Sequence, residues 1–236
     1  MMRRWLFVTG IARSGTTLMQ HLLNLHPDCR ILGERGLAVC THMMFNPGVP
    51  GGFVNATFTG PGTACEVRTP WHMARWPASG DGTTRNDVAR AMLEGARSAL
   101  SGALVFGEKL PGVLQREWRR LRELFPDCGI INMNRDVDAC AWSAISKNWW
   151  PFDPRPHDAI EAAEWEQHWL GILRQHAEDG LAEIRQAPDV CWVELDELNS
   201  DPERVVHGVL DYVGLPVSAY PFSKMRVFFE PGHCVS

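Results

Sequence analysis

The feature that most constrains this chain lies in its first 25 residues: a short apolar run, a glycine-bounded turn and an amphipathic stretch, in that order. Trp5-Leu6-Phe7-Val8-Thr9 reads as a buried strand closed by Gly10. A helix is predicted from Ser14 to about Leu25, with Leu18, Leu22 and Leu25 on one face, Ser14 as the N-cap candidate and His26-Pro27 ending it. Between them lies Gly10-Ile11-Ala12-Arg13-Ser14-Gly15-Thr16-Thr17. A strand that turns sharply into a helix aims successive backbone N–H groups, and the positive end of the helix, at one point; such a point suits an anion. The spacing Gly-x4-Gly is that of a Walker loop, which then requires Lys followed by Ser or Thr. Thr16 stands where that Lys would be. A kinase or ATPase uses the Lys on the terminal phosphates and the next hydroxyl on Mg²⁺. This loop lacks that equipment and keeps an arginine and three hydroxyls.

The rest of the chain alternates between the same two kinds of element. Further strands are expected at Cys29–Leu32, Ala103–Gly107, Gly129–Met133 and Val190–Val193. Helices are expected over about 86–100, 114–125, 137–147, 157–186 and 202–213, the last stopped by Gly214. Strands alternating with helices predict an α/β, P-loop-like three-layer fold with a central parallel sheet flanked by helices. At 236 residues and 45% hydrophobic, the chain has material for one such domain spanning 1–236. Residues 45–85 break the pattern: rich in Gly and Pro, they read as an irregular loop-rich insertion with a short helix near Trp71.

Charge and cysteine content exclude several classes. A net charge of −5 without a block of Lys and Arg argues against a nucleic-acid or anionic-membrane surface. The run Trp5–Val8 is too short for a signal-peptide core, and no stretch of about 18 apolar residues occurs, so neither a leader nor a membrane span is expected. The seven cysteines are odd in number and contain no C-x-x-C pair, which points to buried thiols in a reducing, cytoplasmic setting. None of the nine histidines has metal-ligand spacing.

A second anion anchor follows the fourth strand. Asn132-Met133-Asn134-Arg135-Asp136 ends that strand, and Ser143 comes eight residues after Arg135. Arginine offers a fork for phosphate oxygens. Ser143 and Lys147, four apart, share a helix face. Taken alone, Arg135 reads better as a surface partner of Asp136 or Asp138, and Ser143 as an ordinary helix residue.

Arg13-Ser14-Gly15-Thr16-Thr17-Leu18-Met19, then Leu25-His26-Pro27, then Arg135 with Ser143 resemble the PAPS-dependent sulfotransferases, nearest the tyrosylprotein, bacterial and carbohydrate branches. PAPS is 3′-phosphoadenylyl sulfate. The resemblance implies that Arg13, Ser14, Gly15, Thr16 and Thr17 bind the 5′-phosphosulfate, Arg13 assisting departure of the phosphate. It implies that Arg135 and Ser143 hold the 3′-phosphate, with Lys147 beside the nucleotide, and that no metal is needed. Gly33-Glu34-Arg35, just past the second strand, keeps part of the tyrosylprotein branch's motif and makes Glu34 the candidate base; a carboxylate merely paired with Arg35 is the structural alternative. Lys109, in Gly107-Glu108-Lys109-Leu110-Pro111 directly after the third strand, matches the family's Lys-x-Pro turn, whose lysine stabilises charge in the transition state. Leu195-Asp196-Glu197-Leu198, Asp201-Pro202 and Gly214-Leu215-Pro216 resemble the family's closing segment, with Leu195 where a Tyr is usual. In Ser223-Lys224-Met225-Arg226 a basic residue is placed to cover the cofactor.

The implied activity is sulfuryl transfer from PAPS to an acceptor hydroxyl by in-line displacement, the acceptor being a small molecule, a sugar or a peptide tyrosine. His42 and His72 are alternative bases, and Trp71, Trp76, Trp149 and Trp150 are candidates for an acceptor pocket. Two other functions stay open on the residues: a P-loop small-molecule kinase using Glu108, Glu194 or Asp196 on Mg²⁺, and a catalytically inactive PAPS- or PAP-binding protein.

Overall fold

The computed structural model describes residues 2–33, 55–60, 63–68, 90, 94–95, 97–98, 103–147 and 158–230. Five parallel strands form one sheet: β1 (Trp5–Gly10), β2 (Cys29–Leu32), β5 (Val105–Lys109), β6 (Gly129–Asn134) and β7 (Val190–Glu194). Their spatial order is β2-β5-β1-β6-β7. Helices cover both faces: α1 (Thr16–Asn24), α2 (Val113–Arg116), α3 (Trp118–Leu124), α4 (Val137–Ser146), α5 (Ala159–Ile184), α6 (Leu195–Ser200), α7 (Pro202–Val213) and α8 (Phe222–Met225). This is the three-layer α/β arrangement expected, with a P-loop-like turn after β1.

Two cores follow from the period-2 alternation of the central strands. Trp5, Phe7, Phe106 and Ile130 face one way, against Leu121, Leu124, Leu181 and Ile184 of α3 and α5. Leu6, Val8, Val105, Ile131 and Met133 face the other, against Met19 and Leu22 of α1 and Val206, Val209 and Leu210 of α7. Burying each such side chain contributes about 1.5–3 kcal/mol. The indole of Trp5 also lies 4.2 Å, centroid to centroid, from Phe125.

Helix ends follow local chemistry. Asp136, Asp158 and Asp201 cap α4, α5 and α7 with their carboxylates. Pro202 opens α7 and Gly214, in the left-handed region at φ 82, closes it, as the sequence predicts.

Several expectations are corrected. β5 begins and ends two residues later than predicted, so Lys109 is the last residue of the strand and not the first after it. Gly107, read as the strand's end, lies inside it, where a Cβ would run into the backbone of Leu6. The single helix expected over 114–125 is two, divided at Glu117. Within the insertion, Asn55–Gly60 (β3) and Thr63–Arg68 (β4) pair as an antiparallel hairpin, where an irregular loop was expected. The rest of 45–85, including Trp71, lies outside the described residues, as do Glu34, His42, Trp149 and Trp150. Of the predicted helix over 86–100, residues 90, 94–95 and 97–98 are described and helical.

Cys29, Cys128, Cys140 and Cys191 are free thiols: the first three are buried and Cys191 is partly so. Burial pushes Cys29 up to about 12, and Cys128 and Cys191 up to about 11. No helix among the described residues is long and apolar enough to cross a membrane.

His26 is fully buried. The Asp28 N–H donates to its Nδ1 at 3.1 Å, which leaves Nε2 protonated to donate to the Pro216 carbonyl at 3.2 Å. This side chain therefore ties the α1–β2 turn to the segment after α7. Replacing His26 by Ala removes both bonds and leaves a cavity where a fully buried ring stood, so we expect His26→Ala to lose about 2–4 kcal/mol in urea unfolding; a loss under about 0.5 kcal/mol would contradict that structural role.

Candidate functional site

β1 sits between β5 and β6, and the chain leaves its carboxyl end to cross over past β5 to β2. This is where strand order reverses in an open α/β sheet, the place where such folds bind ligands. The turn there is tightly determined. Gly10 has φ +151, and a Cβ on it would meet the Met133 carbonyl and, at 2.5 Å, Ser14 Oγ. The Ser14 N–H donates to the Ile11 carbonyl at 3.1 Å. Arg13 follows the left-handed path at φ 72, and Gly15 does so at φ 90. A Cβ on Gly15 would approach Leu195 Cδ1 to 2.7 Å, so Leu195, at the place of the family's usual Tyr, lies directly over the loop.

The helix starts later than predicted. Gly15 is the N-cap of α1 and carries no side-chain cap, because position 15 adopts a conformation that favours glycine. Ser14, expected as the cap, is instead buried, and its Oγ has no partner among the described residues. The first-turn N–H groups of α1 thus face the loop without a competing capping oxygen.

The predicted cationic residues gather around this turn in two groups. Arg13 Nε donates to Ser143 Oγ at 3.2 Å, and Arg135 Nη1 donates to the Arg13 carbonyl at 3.1 Å. Lys109, only 4% exposed, donates from Nζ to Thr17 Oγ1 at 3.2 Å. Thr16 is buried. Lys147 is exposed in the turn after α4, and among the described residues no hydrogen bond or ion pair joins it to either group. Of Lys224 and Arg226, either of which could cover the cofactor on the sequence reading, Arg226 pairs with Glu203 at 3.2 Å.

The alternative of a simple surface ion pair for Arg135 does not hold. Asp136 accepts the Ala139 N–H at 2.7 Å as the cap of α4, and Asp138 pairs with Arg174 at 2.5 Å. The Arg174 hydrogen bond holds Asp138 below the usual carboxylate range. Among the described residues, neither Arg13 nor Arg135 has a carboxylate within ion-pair distance. Two arginines side by side without an anion are electrostatically incomplete.

Sequence reasoning missed a polar layer beneath the loop. Asn132 pairs in register with Thr9 on the neighbouring strand. Both are fully buried. Gln115 Nε2 donates to Asn132 Oδ1 at 2.8 Å, and Thr9 Oγ1 donates to the Leu110 carbonyl at 3.2 Å. An Asn inside Gly-Ile-Ile-Asn-Met was the available signal, since polar side chains in a buried strand need partners. Beside this layer, behind Ile11 and Ala12, opens a cavity of about 220 Å³ between α4 and α5. Cys140 lines it, its thiol pushed up to about 11 by burial, against the opposing pull of Arg135 and Arg13.

The loop geometry predicts anion binding independently of any nucleotide. Inorganic pyrophosphate is expected to raise the Tm of the wild-type chain. In Gly15→Ala that rise should shrink at least severalfold, because the new Cβ both strains the left-handed position and meets Leu195. An undiminished rise in the variant would show that the anion binds elsewhere.

The Sulfotransferase family model matches residues 6–219, and the chain belongs to that family. No curated protein matches it in sequence. In fold it is similar to the sulfotransferase STF9 from Mycobacterium avium, with a TM-score of 0.57 and 18% identity over 96% of this chain and 67% of that one. STF1 from Mycobacterium tuberculosis H37Rv aligns with a TM-score of 0.55 and 18% identity over 96% of this chain and 71% of that one. A sulfotransferase from Alicyclobacillus acidocaldarius aligns with a TM-score of 0.50 and 18% identity over 98% of this chain and 92% of that one.

Proposed function

We propose that this member of the sulfotransferase family acts as one domain and transfers a sulfuryl group from PAPS to an acceptor hydroxyl. The observation that carries the reading is the meeting of Arg13, Arg135 and Ser143 at the mouth of the loop, with no carboxylate among the described residues to neutralise the two cations. A ligand with an anionic group at each end supplies what those residues lack.

The residues present fit such a ligand. The loop from Arg13 to Thr17 would hold the 5′-phosphosulfate: Ser14 offers a buried, unpartnered hydroxyl there, and α1 its open first-turn N–H groups. Arg135 and Ser143 would hold the 3′-phosphate, with Lys147, four residues after Ser143, beside the nucleotide. PAPS supplies the activated sulfuryl group. The chain's own part is alignment, charge stabilisation and removal of one proton. Lys109, anchored to Thr17, sets a cation beside the sulfuryl oxygens. Arg13 offsets charge on the departing phosphate. Glu34, two residues beyond the end of β2, accepts the acceptor's proton as the new O–S bond forms and the S–O bond to the 5′-phosphate breaks. 3′-Phosphoadenosine 5′-phosphate (PAP) then leaves.

Calorimetric titration separates this reading from a kinase. Wild-type protein should bind PAP tightly without metal and prefer it to ADP and to Mg·ATP, and Arg135→Ala should weaken PAP by about 10–100-fold, the worth of a charge-assisted phosphate contact. Preference for Mg·ATP, or indifference of PAP to Arg135, would overturn it. Glu34→Gln should keep PAP affinity while lowering kcat by about 10²–10⁴-fold. Retained turnover in that variant would assign the proton to another group.

A further inference from the structure

We propose that the cavity behind the phosphate loop receives the acceptor, and that the acceptor is an uncharged alcohol or phenol with an apolar body of one or two rings. The inference rests on the sulfuryl-transfer reading and names its second substrate. The cavity holds about 220 Å³. An apolar cavity of about 150 Å³ takes benzene, so this one admits a substituted ring or a compact bicycle.

Position points to the acceptor. The cavity wall includes Ile11 and Ala12, which immediately precede Arg13. It includes Pro111 and Gly112, just past Lys109. It also includes Ala144, which follows Ser143. The Gly112 N–H donates to the Gly10 carbonyl at 2.7 Å, so the turn after β5 and the phosphate loop form one wall. A molecule in this space touches residues one or two positions along the chain from Arg13, Lys109 and Ser143.

Chemistry of the wall selects the class. Ile11, Ala12, Val137, Ala141, Ala144 and Leu173 present only hydrocarbon. A sugar placed there would bury several hydroxyls without partners, at about 1–3 kcal/mol each. The polar side chains of the wall include Gln115, Arg116, Glu117 and His176, and three of them are already paired. Gln115 is committed to Asn132. Arg116 Nη2 lies 2.9 Å from His176 Nδ1 and 3.7 Å from Asp179. An acceptor carboxylate would have to break these pairings beside the Glu117 carboxylate, and an ammonium would give up its hydration against a wall that is mostly hydrocarbon, which favours a neutral body with its single hydroxyl turned toward the loop.

The test uses 2-naphthol and glucose as probes of similar size, titrated into the full chain saturated with PAP. 2-Naphthol should bind and glucose should not. Nuclear Overhauser contacts from naphthol protons to the methyl groups of Ala141, Ala144 and Leu173 should place it in the wild-type protein, independently of any variant. Ala141→Leu and Ala144→Leu, which fill the cavity, should each weaken 2-naphthol at least about tenfold, with PAP affinity as the control for folding. Naphthol contacts to other methyl groups, unchanged naphthol affinity in variants that still bind PAP, or equal binding of glucose would overturn the assignment. Failure of PAP to bind the wild type would instead strike the sulfuryl-transfer reading, and the Overhauser contacts in PAP-free protein would still decide what the cavity takes.

Discussion

At Gly10 the chain must leave the most enclosed strand of its sheet, and there is no room for a side chain where it does so. The Met133 carbonyl from β6 and Ser14 Oγ from the loop occupy the space a Cβ would need. On the other side the Gly112 N–H closes onto the Gly10 carbonyl. The turn is thus clamped between the two strands flanking β1. From there the path is forced: Arg13 takes a left-handed conformation costing about 1–3 kcal/mol. The hydrogen bond from the Arg135 guanidinium to the Arg13 carbonyl, about 1.5–3 kcal/mol for a charged donor, is of the size needed to offset it. The backbone of one cation is held in place by the side chain of the other.

Much of this was legible because the central strands obey a simple rule. Trp5–Val8 and Gly129–Ile131 are apolar on both faces, as strands between two helical layers must be. α7 carries its own boundaries in Pro202 and Gly214. The failures share a cause: they depend on a partner that local sequence does not display. Gly107 looks like a stop, yet β5 continues because Val8 of β1 pairs with Lys109. Ser14 has the right chemistry for an N-cap, yet the loop needs glycine at the next position and draws the helix start to Thr16. In the insertion the count of Gly and Pro hid Thr57, Phe58, Thr59 and Val67, residues that favour strands, on either side of a two-residue Pro61-Gly62 link.

The candidate site was legible by spacing, its support was not. Arg13, Lys109, Arg135 and Ser143 were each identifiable as residues, and the structure brings Arg13, Arg135 and Ser143 together and sets Lys109 against Thr17. The layer below them, Thr9, Asn132 and Gln115, joins β1, β6, the turn after β5 and α2 through polar contacts inside an otherwise apolar interior. Such contacts are directional, whereas the two hydrophobic cores around them are not. They define the relative height of the elements that carry the cations, a property no periodicity reveals.

The bond between Arg13 and Ser143 spans 130 residues of sequence and joins the first turn of the fold to the middle of α4. Because the Arg135 guanidinium bonds the Arg13 carbonyl in the same turn, the separation between the phosphate loop and the start of α4 is held at two points. The pair behaves as a ruler. A dianion that fits one end gains only that end, while a molecule whose charged groups match the gap engages both without a second loss of translational freedom. Discrimination then falls on the distance between charges, not on the identity of the group that links them. On the proposed function, a protein with a net charge of −5 would in this way single out one kind of polyanion by its span.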